Sequence, residues 1–254
     1  MAVDVTQFGL REMLKCSLDV RECGRSEPSM ESAGRKICRY FYNELVSSDG
    51  GRACALVRMY KVHPFGGLPP ELQRFARRAL RSADGPSIAE TDTMRCLALL
   101  ATVGDEEAWN HRHLSHAHQA IPLPSAQIVS RAPMIAQLIR QFGLDLDDVI
   151  RPSPDLLRNT EGKTYGVFHV EEAADSPYIP AQAQFVERYG IRSVLGFGGS
   201  LPGADLFAVI LFARAHIPPD AADRFRTIAL DAKGVLLPHA SNGTVFDTPK
   251  APVR

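Results

Sequence analysis

The chain lacks an apolar run long enough to cross a membrane. Its longest uninterrupted one, Leu206 to Ala213, is far short of the roughly 20 residues a spanning helix needs. Met1 does not lead into a basic flank followed by an apolar core, so no secretory leader is expected. There is no excess of charge: Lys plus Arg and Asp plus Glu each number 29. That balance removes any global attraction toward nucleic acid or an anionic membrane and favours a small-molecule or protein partner. No C-x-x-C pair occurs among Cys16, Cys23, Cys38, Cys54 and Cys96. Five is also an odd number, so the expectation is reduced thiols in a cytoplasmic protein. Neither a G-x-S-x-G elbow nor an H-E-x-x-H pair is present.

What is present suits a folded domain. Hydrophobic residues at 45% and charged ones at 23% supply a core and argue against disorder. Leu10, Leu14 and Leu18 recur at helical spacing within residues 4–20. Ser29 is a good N-cap for a helix with Ala33, Ile37, Tyr40, Phe41 and Leu45 on one face. Ala53 to Val62 reads as a strand. Pro69 and Pro70 open a helix carrying Leu72, Phe75, Ala76, Ala79 and Leu80, closed by Asp84-Gly85-Pro86. Met94 to Val103 is a second strand, and Asp105 to Ser130 is polar and irregular. Pro133 starts a helix that Gly143 ends, and a short helix or turn follows over residues 144–150. Arg151 to Gly162 is a surface loop and Tyr165 to Val170 a third strand.

The centre of the pattern is Tyr189 to His216. A helix over Ala181 to Tyr189 stops at Gly190, and strands Ile191–Phe197 and Leu206–Ala213 flank a turn at Gly198–Asp205. Two strands joined so tightly run antiparallel, which predicts an α+β fold with a central antiparallel sheet between helices. Gly196, Gly198 and Gly199 are taken as turn glycines with positive φ. They do not make a phosphate loop, because Leu201 holds the sixth position of G-x-G-x-x-G and a strand follows instead of a helix. The last helix begins at Pro218-Pro219 with Ala222, Phe225, Ala229, Ala232 and Leu236 inward. The expected organisation is an N-terminal helical extension over 1–28, one domain over 29–238, and a loose tail over 239–254.

This order of elements resembles a GAF domain over about residues 30 to 238. The most specific part is Phe185-Val186-Glu187-Arg188-Tyr189-Gly190-Ile191-Arg192-Ser193-Val194-Leu195-Gly196, where a helix passes through a small residue and Ile into a strand. Leu206–Ala213 is similar to the strand that follows, and Ala221–Leu237 to the C-terminal helix. More narrowly, the run from Trp109 through Ile121-Pro122-Leu123-Pro124 to Gly203 is similar to sensory segments of bacterial histidine kinases and related signalling proteins. The resemblance implies a non-catalytic bacterial sensor. A small ligand, whose class it does not name, would bind beside the sheet and signal through the terminal helices. No kinase, cyclase or phosphatase sequence follows Pro238, so any output would lie in a separate protein or outside this stretch of sequence. Some GAF-fold proteins reduce methionine sulfoxide with closely placed cysteines late in the domain; none lies beyond Cys96 here. On this sequence the implied ligand-binding residues are His169, Tyr178, Phe185, Tyr189 and Arg192. The helices Ser29–Val46 and Pro219–Leu237 would lie together on one sheet face and pair across a two-fold axis in a homodimer.

The alternative is a metal- or haem-binding protein using His111, His113, His116 and His118. On a helix these four point to opposite sides, about 100° per residue, so only a loop brings three together. His169 and Glu171 share one strand face without a nucleophile beside them, which leaves a small enzyme as a third reading.

Overall fold

The computed structural model describes residues 2–82, 90–115, 117–155 and 165–248. The expected turn at 84–86, His116 and most of the 151–162 loop lie outside them. In chain order the elements are β1 (Val3–Asp4), α1 (Leu10–Cys23), α2 (Met30–Glu44), β2 (Leu45–Val46), β3 (Cys54–Pro64), α3 (Pro70–Ser82), β4 (Arg95–Gly104) and β5 (Ala120–Leu123). There follow α4 (Ala126–Val129), α5 (Pro133–Gln141), α6 (Leu146–Ile150), β6 (Tyr165–Val170), a π-helical turn over Gln182–Glu187, β7 (Ser193–Leu201), β8 (Asp205–Ala213) and α7 (Pro219–Asn242).

Six strands form one antiparallel sheet in the order β5-β4-β3-β8-β7-β6. The protein is α+β, with helices flanking a central antiparallel sheet and its terminal helices on one face. Helices α2 and α7 pack on that face with α1 outside them, and α5 and α6 cover part of the other. The β7–β8 hairpin runs antiparallel from Ser193 opposite Ala213 to Leu201 opposite Asp205. Helix α2 begins at its Ser29 cap, whose Oγ accepts from the Ser32 amide at 3.0 Å. Gly143 and Gly190 take φ of 75° and 64° beyond their helices, as their positions predict.

The structure corrects several expectations. Gly196, Gly198 and Gly199 lie inside β7 and none has positive φ; only Gly203 (φ 73°) serves the turn, which is confined to Pro202–Ala204. Their role is clearance. A Cβ on Gly198 would stand 2.1 Å from the Phe207 carbonyl oxygen and 2.8 Å from the Phe142 ring. One on its cross-strand partner Gly166 would stand 2.8 Å from the Gln141 carbonyl oxygen. Gly198→Ala should therefore cost about 2–3 kcal/mol through overpacking, read as a lower midpoint of urea unfolding.

Helix α1 forms over its leucine repeat, but with the opposite face inward. Cys16, Ser17 and Val20 are buried, while Leu10, Leu14 and Leu18 are 67%, 59% and 65% exposed. Residues 1–28 are not an appendage: Val3, Val5 and Phe8 are buried, Phe8 stacks on Phe225 at 4.7 Å, and Arg21 Nε donates to Asp231 at 2.7 Å. The expected loose tail is packed as far as it is described. Helix α7 continues through Pro238 to Asn242, Val245 is buried, and Asp247 accepts from Ser29 Oγ at 2.5 Å and Arg35 at 2.7 Å. The region read as irregular holds β5, an edge strand in which Pro122 leaves no missing donor toward a neighbour.

The hairpin turn is fastened by buried charge. Lys61 on β3 is 1% exposed, and its ammonium meets the Asp205 carboxylate, the Val62 carbonyl at 2.9 Å and His63 Nδ1 at 3.0 Å. Arg95 on β4 meets the same carboxylate and donates to the Ala204 carbonyl at 3.0 Å. Ala204 sits at φ 56°, a left-handed conformation that disfavours side chains, so these contacts hold a strained residue in place. One carboxylate thus faces two buried cations. Burial, and then the Lys61 charge, push the His63 pKa down to about 4, which suits a neutral ring accepting from the ammonium.

Candidate functional site

On the sheet face away from α2 and α7, the covering helices leave a cavity of about 340 Å³. Its shape follows from the glycines. Where Gly166 and Gly198 remove side chains from the sheet, the C-terminal end of α5 settles directly on the strands. The rest of α5 then roofs a space floored by β3 and β8, with Leu138 and Ile139 above and Leu206 and Ile210 below. The side wall is aromatic. Trp109, the only tryptophan, packs on Tyr189 with centroids 4.6 Å apart and on Phe185 at 5.8 Å; Phe185 meets Phe212 at 5.0 Å. The π-helical turn carries Phe185 onto this wall: the Val186 amide reaches the Ala181 carbonyl at 3.1 Å, and the Ile191 amide the Val186 carbonyl at 2.8 Å. Wide turns of this kind recur at functional sites.

The lining is almost wholly apolar. Its polar members are Arg58, Tyr60 and His118. Leu56, Arg58, Tyr60 and Val62 follow one another at a spacing of two along β3, so the period that turns the aliphatics into the cavity turns the arginine and tyrosine there as well. Arg58 is 9% exposed. One terminal nitrogen donates to the Tyr60 hydroxyl at 3.3 Å and the other to Ser115 Oγ at 3.2 Å. Its Nε has no partner, and no carboxylate pairs with it among the described residues. Thr102, its cross-strand neighbour, holds a buried hydroxyl that is also unpartnered among the described residues. His118 stands at the rim with φ 63°. Its pKa is lowered, first by burial and then by the Arg58 charge.

The residues expected to bind a ligand fall in different places. Phe185 lines the cavity. Tyr189 is one ring behind it, its hydroxyl donating to Glu106 at 2.8 Å. Tyr178 is half-buried against the same core, but it is not part of the lining. His169 belongs to the opposite face: its cross-strand partner Leu195 packs in the core beneath α2 and α7. Its ring pKa is lowered chiefly by burial, and Nε2 is unpartnered among the described residues. Arg192 is exposed at the entry to β7, where its amide donates to the Ala213 carbonyl at 2.8 Å. Sequence reasoning missed Arg58 and Tyr60, quoted Trp109 only within the resemblance, and named His118 only for the metal or haem alternative. The available signal was an arginine and a tyrosine two apart within an otherwise apolar strand.

The histidines do not converge among the described residues. His111 and His113 are exposed, His118 turns to the cavity rim, and no group of three His, Cys, Asp or Glu is placed to hold a metal. Arg112, from the same segment, turns inward to Glu31 at 2.8 Å and Glu71 at 3.1 Å. A larger hollow of about 620 Å³ opens beside residues 91–95 and 150–152, but its buried cation, Arg95, already pairs with Asp205. No helix among the described residues is long and apolar enough to cross a membrane. Compared with known proteins, the chain matches no family model and no curated sequence.

Proposed function

We propose that this is a GAF-like, non-catalytic sensory or regulatory domain that takes up a small, largely apolar ligand between the sheet and α5. The observation that carries the reading is an apolar cavity holding one buried arginine without a counter-ion among the described residues. Small-molecule sites have this composition, many apolar walls and a few placed polar groups, and volumes upward of about 300 Å³. Among the described residues the lining contains no serine, cysteine or carboxylate, and its one histidine, His118, has no nucleophile beside it in the lining, which supports binding over turnover.

The ligand's effect would reach a separate output protein through α1 and α7, in the cytoplasm and in a homodimer. Helix α2 is a poor dimer surface, because it exposes only polar residues such as Lys36 and Arg39. The exposed leucines of α1 fit a second copy better. An antiparallel copy across a two-fold axis sets Leu14 on itself and Leu10 against Leu18, a self-complementary stripe. Leu14→Glu should then turn a dimer into a monomer in sedimentation velocity without altering the circular dichroism. A wild-type protein that sediments as a monomer contradicts this arrangement.

The test of the ligand reading is a thermal-shift screen with fatty acids, tetrapyrroles, cyclic nucleotides and amino acids. A ligand at about 100 times its Kd adds about 2.7 kcal/mol, so the right class should raise Tm by roughly 5–10 °C for a chain of this size. Failure of every class to raise Tm contradicts the reading.

A further inference from the structure

We infer that the occupant of the cavity carries a carboxylate, bound head-inward on Arg58, with an apolar body lying under α5. This rests on the cavity being a ligand site. It goes beyond that reading by naming the charge, the chemical class and the orientation of the ligand.

A cation nine-tenths buried, without an opposing carboxylate among the described residues, is costly to keep. The structure holds it in place instead of letting it reach solvent. Ser115 Oγ gives its own proton to the Ala117 carbonyl at 2.8 Å, so its lone pairs face the guanidinium. The Tyr60 hydroxyl accepts from the other terminal nitrogen, and its own proton has no acceptor among the described residues. The edge left open to a partner is the one that includes Nε, which is unpartnered among the described residues and so buried that its neighbours must shift slightly before a ligand atom reaches it. A carboxylate matches such an edge with two parallel hydrogen bonds, and the Tyr60 proton is available for a third. Cation and phenol together select an acceptor-only head group; an ammonium would meet like charge, and an alcohol could accept from Nε but brings no negative charge and no second, parallel acceptor.

The body follows from the walls and the size. Beyond Arg58, Tyr60 and His118 the lining is aliphatic and aromatic. A cavity of about 340 Å³ lies at the small end of the roughly 300–1,000 Å³ of ligand pockets, which favours a short body. A medium-chain fatty acid or a short arylalkanoic acid meets both limits.

Trp109 in the wall supplies the readout, because no other tryptophan contributes to the emission. The wild-type protein is titrated with octanoate, octan-1-ol and octylamine. Octanoate should change Trp109 emission saturably, with octylamine at least ten-fold weaker. Arg58→Met should weaken octanoate by 30-fold or more while octan-1-ol binds as well as before or better. Arg58→Lys, which keeps the charge but loses the fork, should fall between. If the three probes bind the wild type alike and neither variant changes octanoate affinity, the carboxylate inference is overturned while the cavity remains a ligand site. If no probe binds the wild type, the cavity reading itself fails.

Discussion

Replacing Asp205 with alanine should cost about 3–5 kcal/mol, the range for stripping a buried charge of its partner. Such a loss is a large share of the 5–15 kcal/mol typical of a folded protein, and it should lower Tm by roughly 10 °C or more. Two cations depend on this carboxylate. Lys61 can adjust by releasing its proton, since burial already lowers its pKa; Arg95 cannot. The variant should therefore regain part of its stability as pH rises into the alkaline range. There the folded state, with Lys61 neutral, binds fewer protons than the unfolded chain, and stability increases with pH. Removing all three charges together, Lys61→Met, Arg95→Met and Asp205→Leu, should be far less harmful than Asp205→Ala alone. Urea unfolding of both variants checks this, and equal losses would mean that the cluster acts only through packing.

Arg58→Met should move stability the other way. The wild-type side chain buries a positive charge with two neutral hydrogen bonds and an empty Nε. A methionine of similar length restores apolar packing against Ile210, the cross-strand neighbour on β8, and removes the desolvation cost. The ligand-free protein should gain about 1–3 kcal/mol, as buried charges replaced by apolar residues often do, and Tm should rise by several degrees. A variant that is more stable but binds its ligand poorly is the signature of a residue kept for function. A fall in Tm would mean that Arg58 serves the fold.

Much of the architecture was legible because local chemistry fixed it. Ser29, Gly143 and Gly190 mark helix ends by rules that act within a few residues, and the run Leu206–Ala213 after a close turn can only be a returning strand. Other features depended on partners distant in the chain. The spacing of Leu10, Leu14 and Leu18 states that α1 is a helix but not which side faces the core; Cys16 and Val20 won the inner side against α7 and α2. A glycine needed for clearance has the same letter as one needed for a turn, and only the approach of Phe142 and Phe207 separates the two roles at Gly198. Pro122 and Pro124 hid the edge strand β5. The cavity was the least readable part. Its wall is shared by β3, β8, α5 and the segment around Trp109, and of five expected ligand residues only Phe185 reaches it. Arg58 sits unremarked within the strand Ala53–Val62, because a sequence does not show whether a charged residue meets a carboxylate in the fold.

The most direct measurement is a crystal structure of the protein soaked with octanoate. The account predicts density for the acid inside the cavity, with its carboxylate within hydrogen-bond reach of Arg58 Nε and the Tyr60 hydroxyl and its chain under α5. An empty cavity at saturating octanoate, or a chain bound with its carboxylate turned out to solvent past His118, would contradict it.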